Sequence, residues 1–266
     1  MRIVCHTDGT PVWRLRLEAA EGAEPVVDWE ALASLANALE KAESDEGCRV
    51  IVIEGATEGA FCRGIDLGYV AAHPDEDVSS GVHDFGRYLS KIRQSKKVII
   101  AAVDGDALGG GIGLVAGADF AIATARSTFG LPEIVIGLLP AMVLPLLLER
   151  MPLQKARTLA MSSSVDAMRA LELGLLDKVV DDPADLEKAV RAVIKHALRV
   201  KPAAVAHLKR FCDQVAGMDC QKAISFGADH TAELIRDRKN IETIRRFMDG
   251  EPLAWFKRYQ PNGSNR

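Results

Sequence analysis

The sequence predicts an α/β protein with a helical C-terminal part, and three observations carry that reading. Strand-like and helix-like stretches alternate to about residue 180, after which the pattern is helical only. The 266 residues are 48% hydrophobic but only 5% aromatic, so aliphatic side chains and alanine must fill a sizeable core. No repeat or low-complexity linker interrupts the chain. The change from alternating elements to helices alone places the division near residue 200, with a core over 1–200 and a helical region over 201–266.

The elements run in order along the chain. Val12–Leu17 alternates as VWRLRL, a half-exposed strand after a DGTP turn. Asp28 is placed to cap a helix carrying Trp29, Leu32, Ala36 and Leu39 at helical spacing. Arg49–Glu54 and Val98–Val103 read as buried strands. Between them lie a loop, AFCRGIDLGYV, and a polar helix near Ser80–Gln94. A short helix comes after the glycines at 109–111, and then a strand, ADFAIAT. AMVLPLLLERM is apolar on nearly every face and is expected as a buried helix. Asp182-Pro183 opens a helix whose Leu186, Val190, Val193, Ile194 and Ala197 share a side. Beyond Lys201, Val205, Leu208, Cys212 and Val215 form one stripe, and Ala232–Met248 is a charged helix.

Composition excludes several classes. A net charge of −4 and a polar, non-basic C-terminus argue against nucleic-acid binding. Five cysteines at irregular spacing fit neither a disulfide framework nor a zinc site. The start, MRIVCHTDGTPVW, has no signal-peptide core, and no apolar run nears the ~20 residues that span a bilayer. The expectation is a soluble cytoplasmic protein without a metal.

The densest chemical signal is DGDALGGGIGLVAGADF, Asp104–Phe120. Glycine lets backbone approach a ligand closely, and a helix start offers free N–H groups to a phosphate or an oxyanion. Three readings compete. Gly111–Ala116 fits a dinucleotide fingerprint, but the next strand ends without the acid that would hold a ribose. The glycines can also serve only to pack a helix tightly. The third reading is an oxyanion hole, which needs a second donor; the turn in AFCRGIDL, Ala60–Leu67, succeeds a strand in the same way.

AFCRGIDL, AAVDGDALGGGIGLVAGADFAIAT and STFGLPEIVIGLLP, in this order, resemble the crotonase (enoyl-CoA hydratase/isomerase) superfamily over roughly Val50–Val180. The resemblance implies a spiral of ββα units, with C-terminal helices that assemble a trimer or a dimer of trimers. It implies acyl thioesters of coenzyme A or of carrier-protein phosphopantetheine as substrates, with no metal or redox cofactor. The amides of Ile65 and Gly110 would hold the thioester oxygen, and Glu133 would be the acid–base group. Ala60, Cys62, Arg63, Asp66, Leu108, Gly109, Tyr88 and Leu139 would bind substrate. Asp66 also suits a helix cap and Tyr88 a core position; Leu108, Val135 and Leu139 suit pocket lining or core.

Hydratases of this family carry two glutamates. The position of the first is Gly113 here, while the second is retained as Glu133. One carboxylate can still run a double-bond isomerisation or a dehydration. Ser127–Ala156 is similar to the polyketide β-branching dehydratases, which act on 3-hydroxy-3-methylglutaryl groups on a carrier protein. Gly113 agrees with that subgroup. Gly68 stands where coenzyme-A-using relatives often have lysine, and EGAEPVVDW replaces their adenine-binding segment. The implied function is dehydration of a 3-hydroxyacyl thioester. An enoyl isomerase, a hydratase-like enzyme, a decarboxylase and a non-catalytic thioester-binding scaffold are the alternatives. A glutaryl chain needs a cation, for which Arg63, Arg87 and Lys91 are candidates; His83 lies in the same helix as the last two.

Overall fold

A computed structural model describes residues 1–7, 10–56, 59–162 and 164–260. The strands are β1 (Arg2–Thr7), β2 (Val12–Glu18), β3 (Val50–Gly55), β4 (Ala60–Cys62), β5 (Val98–Val103), β6 (Asp106–Leu108), β7 (Phe120–Thr124), β8 (Thr128–Gly130), β9 (Val165–Asp166) and β10 (Lys178–Val180). The α-helices are α1 (Trp29–Ser44), α2 (Leu67–Ala72), α3 (Ser79–Arg93), α4 (Gly110–Gly117), α5 (Leu144–Arg150), α6 (Leu153–Met161), α7 (Ala167–Leu173), α8 (Pro183–Ala197), α9 (Pro202–Val215), α10 (Cys220–Arg236) and α11 (Arg238–Met248).

Two sheets organise the chain. The larger runs β1-β2-β3-β5-β7-β10 and is parallel except for β1. Its strands alternate faces with period two. Leu15, Leu17, Ile51, Ile53, Ile99 and Ala101 enter the main core, which α1 also covers. Val12, Val50, Val52, Val98 and Ile100 point the other way, against Leu186, Val190 and Ile194 of α8. Both faces of β3 and β5 are covered, so these two strands read as continuous apolar runs, whereas β2 alternates. The smaller sheet runs β4-β6-β8-β9, with β4, β6 and β8 mutually parallel.

The chain thus repeats one step. A strand of the large sheet is succeeded by a short strand of the small sheet and then by helix: β3–β4–α2, β5–β6–α4, and β7–β8 before a 3₁₀ turn at Pro132–Ile136. This is the ββα spiral that the family resemblance implies.

Several local expectations hold. Asp28 caps α1 through the Ala31 amide, and Asp182 caps α8 through the Asp185 amide. Others are corrected. AFCRGIDLGYV is not simply a loop, since it holds β4 and α2. AMVLPLLLERM is helical only over Leu144–Arg150, and Leu148 is exposed because just one side of α5 meets the core. The α9 stripe lies on one helix as expected, and its Leu208 and Cys212 are exposed. Ala232–Met248 is two helices, because Asp237 ends α10 and caps α11 through the Lys239 and Asn240 amides. The DGTP turn begins at Asp8 and Gly9, outside the described residues. Among the described residues no helix is long and apolar enough to cross a membrane.

Candidate active site

Three turns emerge side by side from the C-terminal ends of β4, β6 and β8. Neighbouring parallel strands lie about 4.8 Å apart, so the turns at their ends share one edge of the sheet, where open parallel sheets collect ligands. Ile65 comes after β4, Gly110 after β6 and Glu133 after β8. Residues far apart in the chain thereby become neighbours.

The turn after β4 is held by a parallel bridge between Val27 and Ile65. The Val27 amide donates to the Gly64 carbonyl at 2.7 Å, and the Asp66 amide donates to the Val27 carbonyl at 3.2 Å. Val27 thus bonds the residues on either side of Ile65, so the Ile65 N–H points away from Val27. The turn after β6 leads directly into α4, whose first amide, Gly110, has no acceptor within the helix. The two turns touch: a Cβ on Gly64 would lie 2.7 Å from the Gly110 nitrogen.

The three glycines at 109–111 have separate reasons. Gly109 has φ 52 and ψ −123, a conformation closed to side-chain-bearing residues, and a Cβ there would meet Glu133 Oε1 at 3.1 Å. A Cβ on Gly110 would strike the Phe85 ring at 2.6 Å. One on Gly111 would come within 2.1 Å of the Cys62 carbonyl oxygen, so α4 rests directly on β4.

Glu133 sits in the 3₁₀ turn, begun by Pro132 and closed by Gly137 at φ 79. Its carbonyl accepts from the Leu138 amide at 2.8 Å. Its carboxyl oxygen Oε2 is buried and has no hydrogen-bond partner. Burial pushes the Glu133 pKa above the ordinary glutamate value. The carboxyl faces a cavity of about 390 Å³ whose lining is mostly apolar, including Val82, Phe85, Met142 and Val143. Among the lining residues only Arg63 and Glu133 are ionisable. Arg63 is already engaged, with Glu24 at 2.8 Å and Asp106 at 2.7 Å.

Gly113 lies one turn into α4 and does not line this cavity. A Cβ there would meet Leu89 at 3.0 Å and Val143 at 3.3 Å. The position at which the resemblance would place a first glutamate is thus packed against hydrocarbon.

The structure gathers Ile65, Arg63, Gly109, Gly110, Glu133 and Leu139 around the cavity. It separates others. Ala60 and Cys62 are buried in β4, and Leu108 is half-buried in β6; none of the three lines the cavity. Asp66 caps α2 through the Tyr69 amide at 2.8 Å. Tyr88 is 1% exposed, in the core and away from the lining, because the inner face of α3 packs against α1 and α4. Val135 is 78% exposed and does not line the cavity. Sequence reasoning missed Trp29, Val82, Phe85 and Met142, which carry no signal beyond apolar character. Among the described residues no cluster of three His, Cys, Asp or Glu side chains is placed to hold a metal ion.

A profile of the family described as enoyl-CoA hydratase/isomerase matches residues 26–258. The chain belongs to this family. A carnitinyl-CoA dehydratase of Citrobacter koseri is 30% identical over 219 residues, covering 79% of this chain and 82% of that one. The bacillaene synthase dehydratase PksH of Bacillus subtilis is 29% identical over 211 residues, covering 77% and 79%. The peroxisomal bifunctional enzyme of Cavia porcellus is 34% identical over 180 residues, 67% of this chain but only 24% of that enzyme, so the chain spans about a quarter of its length. Among solved structures, an enoyl-CoA hydratase/isomerase from Marinobacter aquaeolei superposes with a TM-score of 0.83 at 26% identity, covering 96% of this chain and 99% of the other. The family membership and the shared fold agree with the spiral.

Proposed function

We propose that the protein is an acyl-thioester lyase that dehydrates a 3-hydroxyacyl group, of the 3-hydroxy-3-methylglutaryl type, carried on a carrier protein or coenzyme A. The observation that carries this reading is the solitary, half-buried Glu133 carboxyl, its Oε2 without a hydrogen-bond partner, in a cavity that has no second acid among the described residues of its lining. The thioester oxygen sits between the Ile65 and Gly110 amides. Each such donor contributes about 3–4 kcal/mol to the rate when negative charge develops on the oxygen. The Glu133 carboxylate takes the α-proton, and the electron pair moves onto the thioester oxygen as an enolate. The enolate then re-forms the carbonyl and expels the β-hydroxyl. Glu133 returns its proton to that leaving oxygen, so water departs and the carboxylate is restored. One group acts on one face throughout.

Resemblance over Ser127–Ala156 supports the branched glutaryl-type chain, and two relatives bear the name dehydratase. The same lone carboxyl supports double-bond isomerisation as a second reading, since proton removal and return also need one group. We further assign residues 201–266 to assembly of a homo-oligomer, a trimer or a dimer of trimers. Leu208, Ile224 and Phe247 of α9–α11 are exposed, as an uncovered interface requires.

The test is incubation with 3-hydroxy-3-methylglutaryl-carrier protein, then measurement of intact mass. Loss of one water by the wild type, and no loss by Glu133→Gln, is expected. An unchanged acyl mass alongside a shifted double bond in a 3-enoyl thioester would favour the isomerase, and turnover by Glu133→Gln would remove the mechanism.

A further inference from the structure

The cavity opens toward two grooves of opposite character. Through Trp29 and Ile65 it adjoins a groove that also holds Asp28, Glu30 and Asp66. Through Val82 and Met142 it adjoins a groove that holds His83, Arg87 and Lys91. These three residues recur every fourth position on α3, so they form one stripe on its outer side. A basic stripe is notable on a chain of net charge −4. Arg87 pairs with Asp84 on the same helix, while Lys91 has no ion-pair partner among the described residues.

If the site is the lyase centre proposed, on which this inference rests, the bound chain has a direction. Its oxygen lies at the Ile65 amide and its α- and β-carbons lie under Glu133. The segment after Glu133 continues along the same wall to Met142. The acyl tail therefore runs toward Met142 and α3, and the sulfur arm leaves past Ile65. Arg63 is a poor receptor for a tail carboxylate, because Glu24 and Asp106 already outnumber its single charge.

We propose that the α3 stripe of His83, Arg87 and Lys91 is a receptor for an anionic distal end of the acyl chain. It selects thioesters of dicarboxylic 3-hydroxy acids over those with uncharged tails. An exposed cation contributes little by itself, and two acting on one carboxylate contribute more.

The test measures binding rather than turnover. Two ketone analogues of pantetheine thioesters are compared by calorimetry, one with a tail ending in carboxylate and the other in carboxamide. Both lack a β-hydroxyl and cannot eliminate. Wild type should bind the carboxylate probe more tightly. Arg87→Gln/Lys91→Gln, two changes at exposed positions, should weaken that probe by about fivefold to tenfold and leave the carboxamide unchanged. The preference should also shrink as salt rises. Equal affinity of wild type for both probes, or equal loss of both in the variant, overturns the receptor while leaving the cavity assignment standing. Binding of neither probe overturns both.

Discussion

Replacing Gly109 by alanine tests whether the turn after β6 and the carboxyl of Glu133 form one device. The structure sets two costs. The first is conformational: φ 52 with ψ −123 is a glycine-only region, and forcing another residue there costs about 1–3 kcal/mol. The second is contact: the new methyl would lie 3.1 Å from Glu133 Oε1, tighter than ordinary packing, so the carboxyl must shift by a few tenths of an ångström. For a chain of this size, stability loss lowers Tm by about 2–4 °C per kcal/mol. Gly22→Ala is the control. Its φ of 75 is also left-handed, but a Cβ there meets nothing within 4 Å. Gly22→Ala should therefore lose some stability and keep full turnover. Gly109→Ala should lose stability and also turnover, because a misplaced base or oxyanion donor costs about 100-fold. The assays are thermal unfolding and kcat/KM on a 3-hydroxyacyl thioester. Wild-type turnover in a folded Gly109→Ala would refute the coupling between turn and carboxyl.

Glu133 and Gly113 each support a further test. Burial raises the Glu133 pKa, so between the ordinary carboxyl range and that raised value the native state holds a proton that the unfolded chain has released. Stability should thus fall as pH rises through this window. Glu133→Gln should unfold at a higher temperature than wild type near neutral pH, with the gap closing in acid; a constant gap would argue against a buried carboxylate. The acid limb of kcat/KM, which needs ionised Glu133, should lie above the range of an exposed glutamate. Gly113→Glu should destabilise by more than the about 1–3 kcal/mol that overpacking against Leu89 and Val143 costs, since its carboxyl would also be buried against hydrocarbon, and it should not add water to an enoyl thioester. Enoyl hydration by that single variant would show that hydrocarbon does not block a second acid.

Much of the site was legible because backbone chemistry leaves a compositional mark. Only glycine tolerates what Gly109 and Gly111 meet, so the run at 109–111 stands out in the sequence. Glu133 stands out as an acid among apolar neighbours. The long strands β3 and β5 were legible as apolar runs. The small sheet was not, because strands of three residues are too short to show a period. Tyr88 could not be told from a pocket residue, since the inner and cavity-facing sides of α3 are both apolar.

The sequence by itself determined which chemical groups the protein carries: glycine turns after two strands, one acid after a third, and glycine at 113. Only the tertiary structure decided that they meet, because adjacency in a parallel sheet is set by strand order across the sheet and not by distance along the chain. It also decided what a one-dimensional pattern cannot hold: that Arg63 is neutralised by two carboxylates, and that Leu89 and Val143 fill the space beside Gly113.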